Sequence, residues 1–222
     1  KVGHRGAAGY EPENTLASFQ KAIELKADMI ELDVQVCKSG ELVVRHEHTV
    51  DGTANGRSFI ADQTLTELKS LDMGNGEKIP TLEEVLDLAD KKIKINIELK
   101  GKNTAMPVRA VIEKYIEKGW DLGDFLVSSF QHDELEQIRK FQPEIKIGVL
   151  SAKLLPGILR FAKKIRAHSV NVPVDRIDTG FVSAAHADGL KVFVFAANNS
   201  GEIQKAREIG ADYICSDFPD KI

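Results

Sequence analysis

The residues best able to do chemistry fall within or at the ends of short apolar runs. They are His4 and Arg5 after KVG, Glu31 and Asp33 in MIELDVQV, His46 at the end of LVVRH, and Glu98 and Lys100 in KINIELK. Imidazoles, with an ordinary pKa of about 6.5, suit general acid and base catalysis near neutral pH. Carboxylates bind hard cations, and arginine or lysine can neutralise a phosphate oxygen. These types together indicate metal-assisted phosphate chemistry, if the fold brings them to one place.

Alternation along two of these runs separates polar from apolar side chains. One face of MIELDVQV carries Met29, Glu31, Asp33 and Gln35, and one face of KINIELK carries Asn96, Glu98 and Lys100. Successive side chains of a strand point to opposite faces, so the remaining Ile, Leu and Val residues share the other face. An apolar outer face is typical of a strand packed under helices, and we expect the acidic face to point into a barrel.

The whole chain alternates short β-branched runs with helical patterns. About eight strands are predicted: VGH, MIELDVQV, KINIELK, FLVSSF, KIGVLS, SVNVPV, KVFVFAAN and ADYICSDFP. That number of units in 222 residues predicts an α/β fold, a closed (β/α)8 TIM barrel forming a single domain over residues 1–222. The last barrel helix is predicted to be missing or shortened after Asp220. Such barrels keep their active sites at the carboxyl ends of the strands, where the acidic residues would lie.

Two segments add detail to this prediction. LVVRH follows the second strand across a short turn and is predicted to form a hairpin with it, and residues 47–80 are predicted to be a small inserted lid. Helices are expected after Asn14 as N-cap and after Thr81, where Glu84 three residues later completes a capping box.

Three carboxylates at one strand edge need compensating charge. A pair of like charges 4 Å apart repels by about 4 kcal/mol at an effective dielectric near 20. Glu31, Asp33 and Glu98 could pair with lysines or arginines of the barrel, or they could hold one divalent cation. An all-oxygen ligand set indicates Mg²⁺ or Ca²⁺, with Mn²⁺ as a further candidate, and no His/Cys spacing indicates zinc.

The composition of the chain limits which classes of partner are expected. Thirty basic and 34 acidic residues give a net charge of −4, which offers no broad positive field for nucleic acid. No apolar run is long enough to cross a bilayer, so no membrane anchor is expected. Cys37 and Cys215 are expected to be reduced and half-buried. We expect a cytoplasmic protein, although a leader upstream of Lys1 would make it secreted or periplasmic. The oligomeric state is left open.

In order along the chain, HRGAAGYEPENTLASF, IELDV, VVRH, IPTLEEVL, NIELK, SSF and SDFP resemble the glycerophosphodiester phosphodiesterase family, which is related to phosphatidylinositol-specific phospholipase C. The resemblance covers nearly the whole chain. It implies a (β/α)8 barrel and hydrolysis of small-molecule glycerophosphodiesters to glycerol 3-phosphate and an alcohol. The implied roles are metal binding by Glu31, Asp33 and Glu98, proton exchange by His4 and His46, phosphate contact by Arg5 and Lys100, and a place near the site for Asn14.

The sequence departs from the family pattern in three places. Glu47 follows His46 where the family usually has aspartate, Phe195 stands where a tryptophan is common, and residues 37–40 (CKSG) replace a T-x-D-G turn. Phe195 either flanks the substrate or packs in the core. Two alternatives to the phosphodiesterase are a noncatalytic barrel that binds phosphodiesters or sugar phosphates, and a phospholipase acting on lipids or lysolipids.

We expect no catalytic role for the remaining polar candidates. His48 shares strand parity with His46, and only the motif favours His46. His132, His168 and His186 are expected to be structural, and the sequon at Asn198 is attributed to chance. No G-x-S-x-G or other protein nucleophile is found. Paired imidazoles without a nucleophile favour attack by the substrate's own glycerol hydroxyl.

Overall fold

The computed structural model describes residues 1–53, 56–155 and 157–222, and within them eight parallel strands close into a barrel. The first strand closes the barrel, because it pairs with the second strand on one side and with the last strand on the other. The strands are β1 (Val2–Gly3), β2 (Met29–Val36), β3 (Leu42–Val44), β4 (Thr49–Thr53), β5 (Gly56–Phe59), β6 (Lys94–Leu99), β7 (Phe125–Ser129), β8 (Lys146–Leu150), β9 (Ser169–Pro173), β10 (Lys191–Phe195) and β11 (Tyr213–Ser216). The barrel uses β1, β2 and β6 to β11, which confirms the predicted (β/α)8 fold.

Helices connect the barrel strands on the outside. They are α1 (Leu16–Glu24), α2 (Leu65–Ser70), α3 (Leu82–Ala89), α4 (Ala105–Glu117), α5 (His132–Phe141), α6 (Ile158–Lys164), α7 (Thr179–Ala187) and α8 (Ser200–Glu208). After β11 a single 3₁₀ turn, Pro219–Lys221, replaces a full helix, as predicted. No helix in the described ranges is both long and apolar enough to cross a membrane.

Local capping signals explain where two helices begin. Thr81 and Glu84 form the predicted capping box of α3, with both reciprocal hydrogen bonds present. The prediction for α1 was one residue off, because Thr15 rather than Asn14 caps it by accepting the Ser18 N–H. Asn14 has a φ of 58° and turns its side chain away from the helix. Asparagine tolerates this left-handed conformation better than most residues do.

The faces of β2 divide as predicted. Ile30, Leu32 and Val34 are fully buried between the barrel and its helices. Met29, on the opposite face, belongs to a small apolar cluster inside the barrel with Val2, Leu126, Phe193 and Cys215. This cluster closes the interior toward the amino ends of the strands and leaves a polar chamber above it. Both cysteines are free, and both are fully buried rather than half-buried as expected.

The segment after β2 forms a hairpin and then a small subregion. β3 pairs antiparallel with β2, joining Val34 to Val44. Residues 49–70 contain the β4–β5 hairpin, a 3₁₀ turn and α2, and they pack on their own cluster around Val50, Ile60 and Leu68. Positions 54 and 55 of the predicted 47–80 insertion lie outside the described residues. The single-domain boundaries and the lid role of this insertion stay predictions.

The first loop approaches α1 so closely at Gly6 that a larger residue there should destabilise the fold. Its φ is 90°, and a Cβ there would overlap the side chain and backbone of Ser18, whereas Gly40, with φ of 101°, has open space around it. We expect Gly6→Ala to lower the free energy of unfolding by about 3 kcal/mol, from backbone strain plus steric overlap, and Gly40→Ala by only about 1 kcal/mol, from strain alone. Urea denaturation of both variants measures the difference. Equal losses would contradict the packing assigned to Gly6.

Candidate active site

Three carboxylates meet at the carboxyl ends of β2 and β6. Asp33 lies opposite Glu98 in the parallel register, and Glu31 is one inward position below Asp33. One oxygen from each of Glu31, Asp33 and Glu98 lies within 4.8 Å of the others, and all three residues are at most 8% exposed. The predicted triad is therefore brought together by strand register alone.

Two cations flank this triad. The Lys100 Nζ lies 3.1 Å from Glu98 Oε1 and 3.6 Å from Asp33 Oδ1, and the Arg5 Nε lies 3.5 Å from Asp33 Oδ2. The Arg5 backbone N–H also donates to Glu31 Oε2 at 2.9 Å. Arg5 is shared with a fourth carboxylate, since its Nη1 contacts Glu13 at 2.7 Å. Four carboxylates therefore face two cations, so these ion pairs do not balance the site.

Asn14 holds the most buried of these carboxylates. Its Nδ2 donates to Asp33 Oδ2 at 3.0 Å, and its Oδ1 accepts the Asp33 backbone N–H at 3.4 Å. Asn14 was predicted to lie near the site, and these bonds fix the orientation of Asp33.

Burial and mutual repulsion shift the acids of the triad. Burial raises the pKa of Glu31 to about 8, with the Asp33 charge acting in the same direction. Burial and Asp33 together raise the pKa of Glu98 to about 7, against the opposing charge of Lys100. Ionised side chains here are short of positive charge, and their oxygen-only donor set suits a hard divalent cation. The residues present therefore fit the predicted metal site.

His4, at the end of β1, is oriented by a carboxylate from the last strand. Its Nδ1 contacts Asp217 Oδ1 at 2.6 Å, which leaves Nε2 for a ligand. Asp217 is itself held by Asn198, whose Nδ2 donates to Oδ2 at 2.6 Å and whose Oδ1 accepts the Asp217 N–H at 2.9 Å. Burial alone lowers the pKa of His4, but the bond to Asp217 and the Glu31 charge outweigh it, so the net pKa is raised.

His46 is oriented in the same way by its sequence neighbour. Its Nδ1 contacts Glu47 Oε1 at 2.8 Å, so the glutamate found in place of the family's usual aspartate does reach the ring. Gln35 fixes this loop, because its Nε2 donates to the carbonyls of Arg45 and Glu47, both at 2.8 Å. The Gln35 Oε1 contacts the Nδ1 of His48, and His48 lines a different cavity from the one that His46 lines. Because His46 and His48 share strand parity, the alternation of side chains alone could not tell which of them lies at the site.

These side chains line one cavity of about 340 Å³ at the mouth of the barrel. The predicted residues on its wall are His4, Arg5, Glu31, His46, Glu98, Lys100 and Phe195. Phe195 borders the cavity beside Phe130, and the two rings lie edge-on with centroids 6.2 Å apart. Asn14 and Asp33 lie just behind this wall.

Comparison with known proteins identifies the group to which this barrel belongs. The model of the glycerophosphoryl diester phosphodiesterase family matches residues 4–221. The chain belongs to this family. YhdW of Bacillus subtilis is 39% identical over all of this chain and 95% of its own length. The glycerophosphodiester phosphodiesterase of Caldanaerobacter subterraneus subsp. tengcongensis is 37% identical, again over all of this chain and 95% of its own.

A solved structure gives the same fold. A phosphodiesterase from Oleispira antarctica, in complex with the product sn-glycerol-3-phosphate, is 29% identical, with a TM-score of 0.90 over 100% of this chain and 94% of that one. The family suggested by the motifs is thereby confirmed for this chain.

Three residues that hold the site of this phosphodiesterase in place were not predicted from the sequence. Asp217 stands in the quoted SDFP motif, directly after β11, and the pairing of Gly3 with Ser216 brings it beside His4. Asn198 was considered only as part of a sequon, and its role in holding Asp217 was not predicted. Gln35 was placed on the inward face without a role. The carboxyl-end position of Asp217 was a usable signal, whereas the side-chain partners of Asn198 and Gln35 were not visible in the sequence.

The raised acid pKa values predict how stability depends on pH. The folded, metal-free protein binds protons at Glu31 and Glu98 more tightly than the unfolded chain does, so the free energy of unfolding falls as pH rises from about 5 to about 8. In EDTA, we expect the melting temperature of Glu31→Gln to fall by roughly 5 °C less than that of wild type across this range. Thermal denaturation at several pH values measures this.

The exposed residue Glu117 supplies the control, since Glu117→Gln should follow wild type. Added Mg²⁺ or Ca²⁺ should raise the wild-type melting temperature more at pH 8 than at pH 5, because the cation competes with protons. Parallel pH profiles for wild type and Glu31→Gln would contradict the charge shortage assigned to the triad.

Proposed function

We propose that this protein hydrolyses glycerophosphodiesters to sn-glycerol 3-phosphate and an alcohol. The observation that carries the proposal is that Glu31, Glu98, two carboxylate-held histidines and two cations face one cavity, with Asp33 directly behind its wall, in a chain of this family. The product named in the Oleispira antarctica structure supports the choice of substrate.

Glu31, Asp33 and Glu98 would hold one divalent cation, Mg²⁺ or Ca²⁺, with Mn²⁺ also suited to oxygen ligands. When bound, such a cation would neutralise charge on a phosphate oxygen and would lower the pKa of a nearby hydroxyl. Arg5 and Lys100, on either side of the triad, bind and orient the phosphate.

The two histidines move the protons. One Nε2 accepts the proton of the glycerol 2-hydroxyl as its oxygen attacks phosphorus, and the other donates a proton to the alcohol oxygen as its bond to phosphorus breaks. The product of this step is a cyclic glycerol phosphate. Water then adds to phosphorus and opens the ring to glycerol 3-phosphate, with the histidines exchanging roles. Asp217 and Glu47 support both steps because each holds Nδ1 and stabilises the imidazolium.

The reaction itself is tested with glycerophosphocholine. Release of glycerol 3-phosphate, followed by its enzymatic oxidation, should occur with added Mg²⁺ or Ca²⁺ and fall at least about 100-fold in excess EDTA. Recovery of activity on adding back the cation supports the metal assignment, and activity indifferent to chelator would contradict it. Tight binding of the diester without turnover would favour the noncatalytic binding barrel.

Removing either imidazole should stop proton transfer. We expect His4→Ala and His46→Ala each to lower kcat by about 100-fold or more, while His186→Ala retains wild-type kcat because that ring pairs with Asp212, and neither residue lines the catalytic cavity. Steady-state assays with thermal denaturation as a folding check make the comparison. Near-wild-type turnover in either site variant would remove that histidine from the mechanism.

A further inference from the structure

A polar side chain on the far wall of the catalytic cavity has no role in the steps above. Asn171, on β9, is fully buried and lines the same cavity as Glu31 and Glu98. Its Oδ1 accepts a hydrogen bond from Ser169 Oγ at 2.7 Å. Its Nδ2 finds no hydrogen-bond partner among the described residues. Buried donors are nearly always paired, so this amide is unusual.

The neighbouring strand makes room for the amide. Gly148, on β8, has no side chain, and a Cβ at that position would lie 2.8 Å from Asn171 Nδ2 and 2.9 Å from Oδ1. Any larger residue would displace the amide. The position of the amide beside the cavity therefore depends on a glycine at 148.

The two walls of the cavity differ in charge. Glu31, Glu98 and Lys100 form the charged wall, where the phosphate would bind. The wall containing Asn171 and Ser128 offers neutral hydrogen-bonding groups, and Phe193 and Phe195 beside them offer apolar surface. A neutral alcohol on a short carbon chain matches this wall, because its hydroxyl can pair with the polar groups while its carbons contact the rings.

We infer that Asn171 recognises the free terminal hydroxyl of the glycerol moiety. A hydroxyl both donates and accepts, so it can pair with the unpartnered edge of the amide while the glycerol carbons contact the phenyl rings. Asn171 is then a specificity-determining residue, and the substrates are diesters whose terminal glycerol hydroxyl is free. A lysolipid carries an acyl chain at that oxygen and would not fit against a buried amide. This inference rests on the proposed function.

The test compares two substrates that differ only in this hydroxyl. They are sn-glycero-3-phosphocholine and its analogue made from propane-1,2-diol, which keeps the attacking 2-hydroxyl. We expect wild type to show a kcat/KM about tenfold or more higher for the glycerol compound. In Asn171→Leu, of similar size but without the amide, the ratio should fall to near one. Gly148→Ala should lower the ratio too, because it displaces the amide without removing it.

Several results would overturn the inference. One is a wild-type ratio near one, and another is an equal loss on both substrates in Asn171→Leu, which would mean that Asn171 only supports the fold or binds a buried water. A third is turnover of lysophosphatidylcholine as fast as of glycerophosphocholine. If wild type hydrolyses neither test substrate, the proposed function fails separately. Calorimetric binding of sn-glycerol 3-phosphate against propane-1,2-diol phosphate to the same variants then decides the role of Asn171.

Discussion

The burial of three like charges at the ends of two neighbouring strands is the constraint around which the site is built. Glu31, Asp33 and Glu98 lie within 4.8 Å of one another, almost without solvent. Such a group is costly unless positive charge and hydrogen bonds compensate it. Arg5, Lys100 and Asn14 supply part of this compensation. Despite these partners, burial and the charge of Asp33 raise the pKa of both Glu31 and Glu98.

The barrel separates this charged wall from a neutral one. The first half of the sequence contributes the triad, His46 and both cations, and the later strands contribute Asn171 and the phenyl rings. Closure through β1 and β11 joins the two halves, because Asp217 reaches His4 only across that pairing. The two histidines are thus held by carboxylates of different origin, one distant in sequence and one adjacent. Under the proposed function, the charged wall would bind the phosphate and the neutral wall would contact the glycerol.

The sequence predicted the parts of this arrangement that follow from periodicity. The parity of β2 and β6 predicted which residues face inward, and the parallel register then brought Asp33 opposite Glu98. The family motifs added His4 and His46 as a pair. Thr81 and Glu84 are local in sequence, so their capping box was equally predictable.

The remaining contacts depend on loop conformations and side-chain rotamers that no periodic pattern encodes. Asn14 was expected to cap α1, but its left-handed backbone turns it toward Asp33. Gln35 and Asn198 are polar residues whose partners lie in other loops, so their types alone carried no signal. The open edge of Asn171 becomes visible only when its neighbours, including Gly148, are in place.

The central claim is that the three buried carboxylates share one divalent cation. An anomalous difference map from a crystal of the protein grown with Mn²⁺ tests it most directly. One strong peak is expected within bonding distance of Glu31, Asp33 and Glu98 together, and it should disappear in Glu98→Gln. A map with no peak there, or with manganese bound by other side chains while the triad stays paired only to Arg5 and Lys100, would contradict it.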